Sequence, residues 1–259
     1  MVSDLIGALV VAIVQGLTEW LPISSSGHLV LFSKLIGYSG GMLFDVALHF
    51  GTLMAVFVYF GSDIVDIVKD LLSGKWNSEN GRLGLMVLVA TIPVVIVGFL
   101  FKDVFESVFS SLWITALGFG VSGLFLFIGS IDLKNKKGFG YGKSLLVGCA
   151  QVFALFPGIS RSGSTISSGL LLGLDEKAAM KFSFLMSVPV IFGANILTIG
   201  NNTLPPTLIW ATLVSFVVGL ATIHLLYKYI LTTRKNLRWF AIYALILAIG
   251  SGIYFAVSL

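Results

Sequence analysis

Five long stretches of this chain contain no Asp, Glu, Lys or Arg. A helix needs roughly 20 consecutive apolar residues to cross the hydrocarbon core of a bilayer, so stretches of this kind predict membrane-spanning helices. Charged residues make up only 11% of the chain, against about 25% in soluble domains. The five predicted spans cover residues 83–101, 112–130, 182–200, 207–227 and 239–257.

A sixth span is expected over residues 43–60, which are apolar apart from Asp45 and His49 near the start. The two remaining apolar regions, 5–36 and 144–174, are each interrupted by a cluster of Pro, Gly and Ser. Because proline removes a helix hydrogen bond, each region is expected to form a broken, re-entrant pair of half-helices. The predicted fold class is all-α: a single polytopic membrane domain, residues 1–259, with about six full transmembrane helices and two broken pairs.

The basic residues between these runs predict which way the chain faces. If each broken region enters and leaves on one side, the spans divide the loops into two sets, and the set richer in Lys and Arg is expected in the cytoplasm. One set holds only Lys34 and Lys102, whereas the other holds thirteen: Lys69, Lys75, Arg82, Lys134, Lys136, Lys137, Lys143, Lys177, Lys181, Lys228, Arg234, Lys235 and Arg238. Both termini and the loop IGNNTLPP are therefore predicted outside, and KYILTTRKNLRW inside.

The two broken regions resemble each other. When Gln15 is aligned with Gln151, four further residues of the first region match the second: Ile23, Ser24, Ser26 and Gly27 align with Ile159, Ser160, Ser162 and Gly163. Because three spans separate the regions, the first is expected to open outward and the second inward, with their tips meeting near mid-membrane. This predicts an inverted-topology repeat with halves of approximately 1–130 and 131–259. Transporters share this plan, with half-helix N-termini pointing at an anionic group, so the fold alone leaves enzyme and transporter open.

Glu19 and Arg161 are the formal charges inside the two broken regions. A charge within a membrane is expensive unless it is paired or lines a cavity, so both are candidate functional residues. A purely structural ion pair between them, which would pin the two regions together, is the alternative interpretation. Gln15 lies four residues before Glu19, which places both on one helix face just before the break.

The serine-rich motifs that follow each break are candidate phosphate-binding segments. Backbone N–H groups and hydroxyls at a new helix N-terminus can hold a phosphate, and Arg161 would add a bidentate contact to its oxygens. Simple helix capping and close packing of small residues is the alternative for any single serine. The segments comprise Ser24, Ser25, Ser26 and Gly27 in the first motif, and Ser160, Ser162 and Thr165 in the second.

His28 follows the first serine cluster within the membrane. An imidazole there could attack phosphorus or shuttle a proton, with Glu19 orienting or deprotonating it, although a lone membrane histidine is often only hydrogen-bonded to a neighbour. His49, four residues after Asp45, could edge the same site.

At these residues the chain resembles a known family. QGLTEWLPISSSGHL and FPGISRSGST look like the two signature motifs of the undecaprenyl-diphosphate phosphatase family, membrane enzymes linked to bacitracin resistance, and FDVALHFGTL extends the likeness. The resemblance implies removal of the terminal phosphate from undecaprenyl diphosphate, at a site open to the outer face of the plasma membrane. The family's functional positions fall on Gln15, Glu19, Ser25, His28, Ser160, Arg161 and Thr165.

Our mechanistic hypothesis is attack on the terminal phosphorus by His28 or Ser25, aided by Glu19, with Arg161 and the serine-loop amides stabilising the equatorial oxygens. The family is associated with divalent cations, and Mg²⁺ or Ca²⁺ suits carboxylate and phosphate oxygens. The first acidic position of the family's (E/Q)xxxE pattern is Gln15 here, so Glu19 would need other oxygen ligands.

The expected partners are the polyprenyl diphosphate, membrane lipids and, in a candidate homodimer, a second copy of the chain. Nucleic acid is not expected, because the basic residues are scattered through short loops. The rival function is a lipid-carrier flippase or small-anion transporter.

Overall fold

The structure, a computed structural model, describes residues 2–38, 40–132, 138–199 and 206–257. These residues form α-helices joined by short turns, without a β-strand among them. The helices are α1 (Val2–Trp20), α2 (Ser25–Ile36), α3 (Gly41–Tyr59), α4 (Gly61–Leu72), α5 (Glu79–Leu100), α6 (Lys102–Val108), α7 (Leu112–Gly129), α8 (Tyr141–Val152), α9 (Arg161–Leu171), α10 (Glu176–Ile199), α11 (Pro206–Leu225) and α12 (Leu237–Val257).

Six of these helices are long and apolar enough to cross a membrane, which confirms the predicted number of full spans. They are α3, α5, α7, α10, α11 and α12. The largest boundary difference is in α10, which begins at Glu176 rather than near Phe182. Its first turns carry Lys177 and Lys181, so a search for uncharged runs places the start too late.

Two short helices, α4 and α6, connect spans where the sequence predicts only loops. Asp63 of α4 forms an ion pair with Lys181 of α10, at 2.6 Å, which ties the first turn of α4 to the spanning helix. Both side chains are partly exposed, so the pair fixes geometry more than it adds stability.

Both predicted breaks are present. The first lies between α1 and α2, over residues 21–24, and the second between α8 and α9, where a short 3₁₀ turn (Phe153–Leu155) precedes residues 156–160. The Ser162 hydroxyl donates to the Leu21 carbonyl at 3.1 Å, so the tips of the two breaks touch, as expected.

Glycine permits this close approach. Gly158 has φ of 87°, a conformation that side chains disfavour. A Cβ added at Gly27 would lie 2.9 Å from the Gly158 Cα, so larger residues would push the first tip away from the second.

The remaining helices surround the two tips. α11 packs against α1 and α3, α12 lies along α7, and α5 packs on α8. The large side chains Trp20, Phe119 and Phe184 are fully buried in this interior. Most of the loop IGNNTLPP and residues 133–137 lie outside the described residues. The orientation of the termini, the inverted character of the repeat and the boundary between its halves stay predictions.

Candidate active site

Glu19 lies at the centre of a buried polar cluster at the end of α1. Its Oε2 accepts hydrogen bonds from the Ser25 hydroxyl at 2.5 Å and from Gln15 Nε2 at 3.1 Å. Its Oε1 accepts from Arg161 Nη2 at 2.6 Å. The side chain of Glu19 is only 6% exposed, so the carboxylate is held by partners rather than by bulk water.

Arg161 reaches this cluster from the first residue of α9. Its side chain is 15% exposed, and Nη1 donates to the Ser183 carbonyl at 3.3 Å. The guanidinium lies 5.2 Å from the Trp20 ring centroid, in a cation–π contact. The ion pair with Glu19, which the sequence analysis gave as the alternative interpretation, is therefore present, and it joins the two motifs. Removing one partner of such a buried pair typically costs about 3–5 kcal/mol.

The first serine motif caps the N-terminus of α2. Ser24 is the N-cap residue, and its hydroxyl accepts from the Gly27 N–H at 3.3 Å and lies 3.2 Å from the Ser26 hydroxyl. Ser24 has φ of 70°, and among the described residues no other residue except glycine has a positive φ. Strain of this kind costs about 1–3 kcal/mol and clusters at functional sites. The turn presents the next residue, Ser25, to Glu19.

The second serine motif caps α9 in the same way. The Ser160 hydroxyl accepts from the Gly163 N–H at 3.0 Å and lies 3.3 Å from the Ser162 hydroxyl. The Ser160 N–H donates to the Ser122 hydroxyl, which holds the N-cap residue in place. Thr165 hydrogen-bonds back to the Arg161 carbonyl at 2.8 Å and pairs with the Ser183 hydroxyl at 2.7 Å.

Two helix N-termini thus meet at one point. The partial positive charge and free N–H groups of a helix start attract an anion. Here α2 begins at Ser25 and α9 begins at Arg161, and the Glu19 carboxylate accepts a hydrogen bond from each of these two side chains. The arrangement combines a hydroxyl, a carboxylate that accepts its hydrogen bond, and a guanidinium.

His28 is directed away from this cluster. Its Nδ1 lies 2.7 Å from the Ser24 carbonyl, which can only accept, so Nδ1 carries a proton. In the neutral ring Nε2 then accepts from the Tyr243 hydroxyl, 2.8 Å away. The ring also stacks on Tyr243 and meets Phe119 edge to face. The hydrogen bonds expected between His28 and Glu19 are replaced by bonds to Ser24 and Tyr243.

His49 takes the place beside Glu19 that the sequence suggested for His28. Its Nε2 lies 3.5 Å from Glu19 Oε2, while Nδ1 bonds to the Asp45 carbonyl at 2.7 Å. The four-residue spacing between Asp45 and His49 was the available signal. Tyr243 and Ser183 had no such signal, because each lies in a long apolar run and is brought to the site by packing alone.

Polar atoms without protein partners also border the cluster. Gln15 Oε1 and Trp20 Nε1 are buried and have no hydrogen-bond partner in the described structure. Buried groups of this type are normally satisfied by water, an ion or a ligand.

The family model described as bacitracin resistance protein BacA matches residues 8–250, which include every residue of both motifs. The chain belongs to the bacitracin resistance protein BacA family. Curated relatives agree over nearly the full length of each protein. The undecaprenyl-diphosphatase of Thermosipho africanus is 42% identical over 244 residues, covering 93% of this chain and 96% of the relative.

Two further relatives show similar identity and coverage. The undecaprenyl-diphosphatase of Caldicellulosiruptor bescii is 42% identical over 251 residues, covering 93% of this chain and 94% of that protein. The undecaprenyl-diphosphatase of Mycobacterium leprae is 38% identical over 268 residues, covering 96% and 94%. In this BacA-family chain, the matched region brings Gln15, Glu19, Ser25 and Arg161 into one hydrogen-bonded cluster.

Proposed function

We propose that this chain is a membrane phosphatase that hydrolyses undecaprenyl diphosphate to undecaprenyl phosphate and inorganic phosphate, returning the lipid carrier to cell-wall synthesis. Family membership supports the reaction class and the substrate. One observation supports the chemistry: the Ser25 hydroxyl donates to Glu19 Oε2 at 2.5 Å while Arg161 holds the other carboxylate oxygen. A nucleophile, its base and a group that orients the base are thereby in contact.

The reaction proceeds in two steps. Ser25 Oγ attacks the terminal phosphorus and gives its proton to Glu19 Oε2, forming the Oγ–P bond. The bridging P–O bond breaks, and undecaprenyl phosphate leaves with its electron pair and takes the proton from Glu19 Oε2, which regenerates the carboxylate. Water then attacks the phosphoserine and releases phosphate, with one water proton returning to Ser25 Oγ. Arg161 and the N–H groups at the starts of α2 and α9 stabilise the phosphate oxygens.

This assignment favours Ser25 over His28 as the nucleophile. The Nε2 lone pair of His28 already accepts from Tyr243, and Nδ1 is bonded to the Ser24 carbonyl. His28 thus connects the strained N-cap of α2 to α12 and supports the turn that presents Ser25.

The test is release of inorganic phosphate from undecaprenyl diphosphate by the purified protein in detergent, with Arg161→Ala as the matched variant. We expect release by the wild type and loss by at least about 100-fold in the variant, as for other lost oxyanion contacts. A protein that moves the lipid across vesicles without releasing phosphate would refute the enzyme and favour the flippase or transporter.

We also propose that the site opens to the outer face of the plasma membrane, with both termini outside, and that the two halves form an inverted repeat. The distribution of basic residues supports the orientation. The matching caps at Ser24 and Ser160 support the repeat. Reporter fusions at residues 135 and 203 test the orientation, and finding both on one side would overturn it. The homodimer stays a prediction.

A divalent cation is a further proposal. No group of three or more His, Cys, Asp or Glu side chains suited to a metal occurs among the described residues. The oxygen chemistry still fits Mg²⁺ or Ca²⁺, because the unpartnered Gln15 Oε1 lies on the residue bonded to the Glu19 carboxylate. Glu19 and Gln15 would hold the ion, with other ligands from phosphate and water. A bound ion would neutralise phosphate charge.

A further inference from the structure

His49 contacts the Glu19 carboxylate and has no part in the reaction steps above. Its Nε2 lies 3.5 Å from Glu19 Oε2. Its Nδ1 lies 2.7 Å from the Asp45 carbonyl, which can only accept, so Nδ1 carries a proton and Nε2 of the neutral ring keeps a lone pair. Two atoms with lone pairs therefore face each other, and a proton or a metal ion between them would turn this repulsion into attraction.

The distance between the two atoms favours the metal ion. A protonated Nε2 would form a charge-assisted hydrogen bond to the carboxylate, and such bonds are typically about 2.7–2.9 Å long. The observed 3.5 Å is well beyond that range. Two ligands of one divalent ion, each about 2.0–2.2 Å from it, lie about 3–3.5 Å from each other. The spacing thus suits two ligands of one ion better than a direct hydrogen bond.

The His49 ring is held in the way that metal-binding histidines usually are. Such a histidine donates its second ring N–H to a carboxylate or a backbone carbonyl, which fixes the ring and aims the other nitrogen at the metal. The bond from Nδ1 to the Asp45 carbonyl, one turn earlier on α3, has this form. The His49 side chain is 27% exposed against 6% for Glu19, so it offers an ion a route to the buried carboxylate.

Gln15 brings a third donor atom to the same carboxylate oxygen. Its side chain is fully buried, and Oε1 has no hydrogen-bond partner in the part of the chain that the structure describes. Its Nε2 lies 3.1 Å from Glu19 Oε2. Turning the amide over exchanges these two atoms and would place Oε1 at that distance instead. One nitrogen and two oxygens would then surround a single point.

We propose that His49 Nε2 is a ligand of the divalent cation and completes, with Glu19 and Gln15, a site of one nitrogen and two oxygens. The inference rests on the proposed function, because it deepens the cation site proposed there. Arg161 lies 2.6 Å from the other Glu19 oxygen and compensates its charge. Sites made only of oxygen gain affinity from ligand charge, so they would hold Mg²⁺ or Ca²⁺ weakly here. An uncharged imidazole instead favours an ion such as Zn²⁺, with open positions left for phosphate oxygens.

Co²⁺, whose visible absorption reports its ligands, is the probe in place of Zn²⁺. The purified full-length protein in detergent is stripped with EDTA and titrated with Co²⁺ without substrate, and Zn²⁺ and Mg²⁺ are then added as competitors. His49→Gln removes the nitrogen ligand. His224→Gln is the matched control, because it makes the same change at an exposed histidine of α11 that contacts the rings of Tyr59 and Tyr229. Thermal unfolding without metal checks that both variants keep the fold.

The wild type and His224→Gln are expected to bind Co²⁺ equally and to release it to Zn²⁺ but not to the same concentration of Mg²⁺. His49→Gln should weaken Co²⁺ binding at least about tenfold, since even the loss of an outer partner of a metal ligand has an effect of that size. Equal Co²⁺ affinity for the two variants would overturn the assignment, including the case in which only a proton lies between His49 and Glu19.

A second measurement does not depend on the folding of His49→Gln. Pulsed EPR of the His224→Gln protein with one equivalent of Cu²⁺ should show the nitrogen coupling of a bound imidazole, and its absence would also overturn the assignment. Because both measurements are made without substrate, they are independent of phosphate release. Phosphate release without binding of the ion at His49 would overturn this inference alone, whereas binding at His49 without phosphate release would refute only the proposed function.

Discussion

The substitution Tyr243→Phe removes one hydroxyl. Whether it lowers or raises kcat distinguishes Ser25 from His28 as the nucleophile. The Tyr243 hydroxyl lies 2.8 Å from His28 Nε2, and the two rings stack with an interplanar angle of 8°. Phenylalanine keeps the stacking and loses only the hydrogen bond. The change therefore acts on the one ring nitrogen of His28 that a phosphorus atom would need.

The magnitude follows from that single bond. An intramolecular hydrogen bond contributes about 0.5–1.5 kcal/mol net, which corresponds to roughly twofold to tenfold in a rate. If Ser25 is the nucleophile and His28 supports the N-cap turn, the turn loosens and kcat falls within that range. If His28 is the nucleophile, its Nε2 must release Tyr243 before attack, so removing the hydroxyl raises kcat by a similar factor.

The assay is steady-state phosphate release from undecaprenyl diphosphate by purified protein in detergent. Tyr229→Phe, at an exposed tyrosine on the π-helical turn Leu226–Ile230, is the control and should match the wild type. Acid treatment of rapidly quenched enzyme adds a second readout, because phosphoserine is acid-stable and phosphohistidine is acid-labile. A rise in kcat for Tyr243→Phe, or an acid-labile phosphoenzyme, would refute the assignment of Ser25.

Three other substitutions test the surrounding framework. Ser25→Ala should lower kcat by at least about 1,000-fold with KM nearly unchanged, and turnover near the wild-type level would exclude covalent catalysis by Ser25. Glu19→Gln leaves Arg161 without its counter-charge, so thermal unfolding in detergent should show a loss of about 3–5 kcal/mol, partly recovered in the double variant Glu19→Gln/Arg161→Met; no recovery would contradict the pairing. Gly158→Ala places a Cβ against the Thr115 carbonyl at positive φ and should cost at least about 1–2 kcal/mol in the same unfolding assay, whereas Gly193→Ala, where a Cβ meets nothing, should not.

The sequence predicted the spans well because the cost of placing a charge or an unbonded backbone group in lipid is large and local. Six uncharged or nearly uncharged runs gave six helices long enough to cross a membrane. The same argument located the breaks, since Pro22 and Pro157 stand where helices stop. It missed α4 and α6, because these short helices carry charged residues and leave no uncharged run.

For the active site, the sequence determined which groups had to be explained: an acid, a guanidinium and two serine clusters inside the membrane. The cost of charge in lipid made Glu19 and Arg161 candidate functional residues, and Ser25 was a candidate through the serine cluster and the family resemblance. The tertiary structure decided which histidine stands beside the acid. His28 is near Glu19 in the chain, yet the helix that begins at Ser25 turns its ring toward Tyr243, more than 200 residues away. His49 reaches Glu19 because α3 packs beside α1. Helix direction and packing set these contacts, and neither can be read from the spacing of residues along one chain segment.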